Sequence, residues 1–266
     1  MSSGLTVAVL GLGETARDIA TALQAAEAKV IGFDSGKVKN SPVALAETAQ
    51  AAVEQADVVL SLNSATIAAR TAESVSGSLK SGAIYADLNV GTPALKQKLA
   101  AMVSPERFVD VAVLESQTGA AEQPSMEVAG QPAARFIELL APLGLKLTLV
   151  SERAGDAAAR AMIRLLIERG LAAVAADTLW AANSLGIETW AMEQLKNEFT
   201  AGSEVTLQNL LDSTGKLAKP RSVELTNVAE MLAEAGYEST TLNGIGLTLS
   251  HVMHGRKIPF ADLSED

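Results

Sequence analysis

The chain has 266 residues, 48% of them hydrophobic, which is enough for a large core and excludes general disorder. Its formal net charge of -10 repels phosphate backbones and anionic lipid, so nucleic acid and membrane surfaces are not expected as partners; one helix N-terminus or one buried Arg can still hold a small anion. The absence of cysteine excludes disulfides, thiolate nucleophiles and thiolate-bound metals, and no metal site is expected.

The first residues, Met1 to Gly4, lack a basic segment, and the apolar run 7–10 ends in glycine too early for a signal peptide. No later stretch reaches about 18 uninterrupted apolar residues. A soluble, cytoplasmic protein is expected.

Short, apolar, partly β-branched runs predict strands at 5–10, 29–33, 58–61, 83–88 and 108–113. Ala- and Glu-rich stretches between them, such as 15–26 and 93–102, have helical spacing. Alternation of this kind builds right-handed βαβ units and a parallel sheet covered on both faces. Further strands are expected at 126–129 and 147–150, with a helix at 132–140 between them. Beyond residue 150 the strand signal ends. Residues 154–185 contain no proline, and Gly186 stands where a helix-ending glycine belongs. Apolar positions 158, 161, 162, 165 and 166 trace a buried stripe. Later helices are predicted at 189–199, 221–235 and 240–254. The expected fold is α/β: a Rossmann-type parallel sheet domain (1–152), then a long inter-domain helix leading into an all-α C-terminal domain (153–266) that serves substrate binding and dimerisation.

The run Gly11-Leu12-Gly13-Glu14-Thr15-Ala16 joins a predicted strand to a predicted helix. Gly11 permits the tight turn, Gly13 lets backbone approach a pyrophosphate, and Ala16 is small enough for close helix–strand packing. The helix N-terminus then offers unpaired N–H groups and positive potential to the phosphates. Asp34, followed by Ser35, ends the second strand about twenty residues on, where a carboxylate accepts from a ribose diol and disfavours a 2′-phosphate. NAD is therefore the expected cofactor, with NADP as the second option through the nearby Lys37. Asp34 also suits an Asx-turn before Gly36. Leu62 and Asn63 follow the third strand and Asn89 the fourth, at the carboxyl ends where such sheets bind ligands, or where turns and caps fall.

Taken in order, these segments resemble the β-hydroxyacid dehydrogenase superfamily, which includes phosphogluconate dehydrogenase and the imine reductases. The residues that carry the resemblance are VAVLGLGETA (7–16), Asp34, DLNVGTP (87–93) and DVAVLESQTGA (110–120), with GDAAARAMIRLL (155–166) resembling a phosphogluconate dehydrogenase-like subgroup with a distinct helical C-terminal domain. The family's substrate segment, DAPVSGGxxGA, aligns without a gap at 110–120 and keeps Asp110, Val113, Gly119 and Ala120. Leu114, Glu115 and Ser116 replace its Ser-Gly-Gly. The family also carries a lysine on the long helix that moves the proton of the substrate oxygen; counting six on from Gly155 gives Ala161, natural or engineered.

The resemblance implies an NAD(H)-dependent oxidoreductase that transfers hydride between nicotinamide and a small polar substrate of hydroxy acid or carbonyl type. Reduction of a C=N bond is the alternative that least needs the missing lysine, and a non-catalytic dinucleotide-binding or redox-sensing protein is the third. In an enzyme, Glu115 is the candidate acid or amine binder, or else a solvated loop residue. Leu114, Ser116 and Asn89 would line the substrate. Arg164 would anchor an anion or pair with Glu168 on the helix surface. Tyr237 and Lys257 are further proton-donor candidates, and His251 and His254 lie one turn apart. Trp180 and Trp190 read as core or subunit-interface anchors, and a homodimer through the helical domain is expected.

Overall fold

A computed structural model describes residues 4–36, 38, 40–114, 125–200 and 203–261. The first half runs β1 (Thr6–Leu10), α1 (Glu14–Ala25), β2 (Lys29–Phe33), β3 (Ala44–Leu45), α2 (Ala49–Val53), β4 (Val58–Ser61), α3 (Ala65–Ser76), β5 (Ile84–Asp87), α4 (Pro93–Val103) and β6 (Phe108–Leu114). It continues through β7 (Ser125–Ala129), α5 (Ala133–Leu140) and β8 (Lys146–Ser151). These strands form one 8-stranded sheet in the order β3-β2-β1-β4-β5-β6-β7-β8. Every neighbouring pair is parallel except β6 and β7, which run antiparallel with Asp110 opposite Ala129. The chain leaves β1 toward β2 on one side and returns to add β4 on the other, so β1 and β4 flank the topological switch point.

The central strands are apolar on both faces because helices cover both. Val7 and Val9 face one core, shared with α1 and α5; Ala8 and Leu10 face a second, shared with α2, α3 and α4. In α1 the buried residues Ala16, Ile19, Ala20 and Leu23 fall at helical spacing and form a single stripe. Thr92 caps α4 by accepting from the Leu95 N–H at 3.2 Å, and Pro93 fills the first helical position, where its missing N–H costs nothing.

The long helix is present as α6 (Asp156–Ser184, 29 residues), about 44 Å of continuous helix. After it come α7 (Glu188–Thr200), α8 (Ser203–Lys216), α9 (Ala218–Glu234) and α10 (Thr240–Met253). The chain divides into two compact units inside α6, between Arg164 and Leu165. Gly186 adopts φ +72° and ends α6 as its sequence position indicates. α9 begins three residues earlier than periodicity predicts, because Pro220 is tolerated within a first turn. The predicted stripe on α6 needs correction. Ala158 is buried, but Leu166 is 70% exposed, and Ile163 and Ile167 also lie open. Apolar residues surround this part of the helix rather than following one face.

Candidate functional site

The loop after β1 is shaped by two glycines with opposite surroundings. Gly11 takes φ +89°, and a Cβ there would lie 2.3 Å from Leu62 O and 2.9 Å from Asn63 Oδ1. The loops following β1 and β4 therefore meet at a position only glycine can fill. At Gly13, by contrast, a Cβ would meet nothing within 4 Å. Gly13 is the N-cap of α1, which has no side-chain cap, so the first turn of the helix lies beside open space left by a residue with no side chain. That combination, a filled first glycine and an open second one at a helix start, fits a pyrophosphate. Glu14 and Thr15 are exposed on this first turn, and Ala16 is buried.

Asp34 joins the end of β2 to the same loop. Its Oδ2 accepts from the Leu12 N–H at 2.7 Å and its Oδ1 from the Gly36 N–H at 2.8 Å. The second contact is the Asx-turn; the first braces the glycine loop. A carboxylate has about four lone-pair sites, so both oxygens retain acceptor capacity. Ser35 beside it is exposed.

At the carboxyl ends of β4 and β5 a polar cluster sits below the surface. Asn63 Nδ2 donates to Ser61 Oγ at 3.1 Å, and Asn89 Nδ2 donates to the same oxygen at 3.3 Å and to Asp87 Oδ1 at 2.5 Å. Asp87 also faces Lys96, whose Nζ lies 2.7 Å from Asp87 Oδ2 and 3.2 Å from Asp110 Oδ1. Burial pushes the Asp87 carboxyl above its ordinary value, against the opposing pull of Lys96 and Asn89. The hydroxyl of Tyr85 is likewise pushed up by burial.

The structure thus brings together Gly11, Leu12, Gly13, Asp34, Leu62, Asn63 and Asn89 along one edge of the sheet. Leu114 ends β6 half-buried, while Glu115 and Ser116 fall outside the described residues. Ala161 packs against the small buried cluster Ala112, Ala129 and Ala157. Arg164 is half-buried on α6; Arg160 pairs with Glu127 at 3.4 Å. In the second unit Tyr237 donates its hydroxyl to Asp177 Oδ1 at 2.5 Å, and that bond pushes its pKa up to about 12. Lys257, His251 and His254 are exposed, with His254 Nδ1 2.7 Å from Ser250 O. Among the described residues, no group of three or more His, Cys, Asp or Glu converges on a point. Trp180 and Trp190 are 64% and 62% exposed, which removes a core role for both within one chain.

Sequence reasoning missed Lys96 and the partnership of Asp87 with Asp110. A signal was present for the two carboxylates alone: each lies inside a run otherwise apolar enough to be a buried strand, IYAD and FVDVAV.

Comparisons with known proteins agree with this geometry. Residues 6–147, just over half of the chain, match the family described as the NAD binding domain of 6-phosphogluconate dehydrogenase. An uncharacterised 28.5 kDa protein of Methanothermus fervidus is 26% identical over 113 residues, spanning 42% of this chain and 43% of that protein, less than half its length. Among solved structures, a conserved hypothetical protein from Sinorhizobium meliloti is 25% identical with TM-score 0.60, covering 97% of this chain and 92% of the other. A conserved protein of unknown function described as similar to 3-hydroxyacid dehydrogenases is 25% identical with TM-score 0.62, covering 94% and 98%. A variant of an imine reductase from Myxococcus stipitatus, solved with NAD+, shares the fold at TM-score 0.78 and 18% identity, covering 94% of each chain; the same reductase has also been solved with NADP+. The chain belongs to the 6-phosphogluconate dehydrogenase NAD-binding family, and its first unit is an NAD-binding Rossmann domain.

Proposed function

We propose that the chain is an oxidoreductase that moves hydride between the nicotinamide of NAD and a small polar substrate of hydroxy acid or carbonyl type. The observation that carries this reading is the contrast between Gly11, packed on Leu62 and Asn63, and Gly13, open at the start of α1. Leu12, Glu14 and Thr15 complete the pyrophosphate loop. Asp34, with Ser35, accepts from the adenosine ribose and disfavours a 2′-phosphate, so NAD is preferred and NADP is bound more weakly. Leu62, Asn63 and Asn89 lead toward the nicotinamide. Leu114, Glu115 and Ser116 form the substrate segment. Glu115 supplies a proton or holds a cationic group, and Arg164 anchors an anionic one. The helical unit pairs with a second copy of the chain.

The test separates fold from ligand. Gly13→Ala has room in the protein and an extended backbone that alanine adopts, so its melting temperature stays within a few degrees of wild type. Its NADH affinity should fall by at least about a hundredfold, since the methyl takes space needed by phosphate; unchanged affinity removes the loop assignment. In the same titration wild type should bind NADH more tightly than NADPH.

Ala161 favours a second reading, reduction of a C=N bond. Hydride transfer to a carbonyl leaves an alkoxide that needs a proton, whereas a protonated imine brings its own. Imine reductases also occur among the proteins that share the fold. A screen of carbonyls, alcohols and imines with wild type and Glu115→Gln distinguishes the two. Carbonyl turnover reduced at least about a hundredfold in Glu115→Gln supports the first reading with Glu115 as acid. Imine turnover indifferent to that change supports the second. No turnover on any of them leaves a dinucleotide-binding protein without catalysis.

A further inference from the structure

Beneath the edge assigned to the dinucleotide lies a buried polar assembly that stability alone does not require. Asp87 and Asp110 are register partners on the parallel strands β5 and β6, so both carboxylates emerge on the same face of the sheet. Both are fully buried, and Lys96, reaching down from α4, is 1% exposed. Its ammonium lies between them and also donates to the Asp87 carbonyl at 2.8 Å. Two carboxylates with one ammonium leave one negative charge without a cation. The start of α6 meets it: the N–H groups of Gly155 and Ala158 donate to Asp110 Oδ2 at 3.1 and 2.9 Å, at the positive end of that helix.

The joint is also closed sterically. Gly155 takes φ +100°, and a Cβ there would stand 2.9 Å from the carbonyl of Pro93, the first residue of α4. The starts of α4 and α6 are therefore locked together by backbone contact and by the Lys96–Asp110 pair. On the other side, Asp87 Oδ1 and Ser61 Oγ both take the amide nitrogen of Asn89. A carboxylate beside that amide admits only the nitrogen, so the Asn89 oxygen turns the other way and is left to accept from an N–H or O–H. Apolar side chains of similar volume can replace such a buried ionic group with little loss of stability. What the charges add is a fixed direction.

We propose that Asp87 and Lys96 are positioning residues, which set the Asn89 amide in the place that the bound dinucleotide requires. The proposal rests on the dinucleotide reading of this edge and goes beyond it. Neither residue touches the ligand; Lys96 holds Asp87, and Asp87 acts through Asn89.

The experiment compares Lys96→Leu, the double variant Asp87→Leu/Lys96→Leu, and Asn89→Ala, measuring melting temperature and NADH binding by nicotinamide fluorescence. Lys96→Leu strands two buried carboxylates and should melt well below wild type. The double variant should recover most of that loss yet bind NADH about tenfold more weakly, the usual scale for one charge-assisted hydrogen bond. Asn89→Ala should show a similar loss. Adding it to the double variant should cost no further affinity, because both changes remove the same constraint. A double variant that regains both stability and full NADH affinity overturns the proposal, as does Asn89→Ala binding like wild type. Should the double variant not fold, Asp87→Asn, which keeps the volume and removes the charge, takes its place, and full NADH affinity there overturns the proposal. A wild type that binds no NADH is a separate result, and it overturns the dinucleotide reading itself.

Discussion

The two units of this chain bury apolar surface to different degrees. In the first, Leu10, Leu23, Leu60, Ile84, Tyr85, Leu99, Phe108 and Phe136 are fully enclosed by a sheet with helices on both faces. In the second, the buried apolar residues among those described are Ala182, Ala191, Ala218, Leu232 and Leu249, while Leu166, Trp180, Trp190, Leu207, Leu247 and Phe260 stand open. Layered βαβ units enclose their own core within one chain. A set of helices that is apolar on more than one side does not, and the surplus marks a surface meant for covering. The first unit thus carries its stability locally. The second leaves apolar surface open, and a second copy of the chain is the occupant proposed above.

The most forceful way to break this contrast is to charge the uncovered face. Leu166 and Trp180 lie on one side of α6, about four turns apart. Replacing both by Asp should raise the dimer dissociation constant by roughly a thousandfold, at least about 4 kcal/mol, seen by sedimentation as monomer. NADH binding to the first unit should change little. A dimer of undiminished affinity would place the interface elsewhere.

A smaller effect is expected inside the first unit. Gly11→Ala forces a Cβ against the Leu62 carbonyl at a positive φ, and should cost about 2–4 kcal/mol in chemical denaturation. Melting like wild type would mean that the two loops separate freely. Lost stability with an intact helical signal would sharpen the view that the units answer to separate contacts.

The smallest prediction concerns acid. In the second unit Asp177 is buried; burial alone would raise its pKa, but hydrogen bonds from Ser239, Tyr237 and Thr241 outweigh this and hold it at about 2. Its folded-state value lies below the unfolded one, so its contribution, about 2 kcal/mol, is present above roughly pH 4 and is lost as pH falls toward 2. Asp87 has the opposite sign: its value is raised, so its ionisation weighs against the fold at neutral pH and acid relieves that cost. Urea midpoints at pH 6 and pH 3 should therefore differ less in Asp177→Asn than in wild type. An identical pH dependence would show that the carboxylate does not anchor the start of α10.

The sequence displays what is repeated and hides what is met only in space. β1, β2, β4, β5 and β6 were legible because strands covered on both faces are apolar at most positions, and Gly186 marked the end of α6. β3 was not, since Ala44–Leu45 is too short to show a period. The stripe on α6 misled because alanines, leucines and isoleucines surround the helix, so more than one spacing fits. The glycine loop and Asp34 lay within one βαβ unit and could be read together. Lys96 could not, because its partners come from two strands and its place between them is set by the sheet register.

Gly11 and Gly13 finally bear on how such a chain drifts over generations. A substitution at Gly11 injures the fold whether or not a dinucleotide is ever bound, whereas the fold leaves room for one at Gly13, where only the proposed phosphate contact would oppose it. A descendant that kept the first glycine and lost the second would record, in a single codon, that it had retained the architecture and abandoned the cofactor. This chain has kept both.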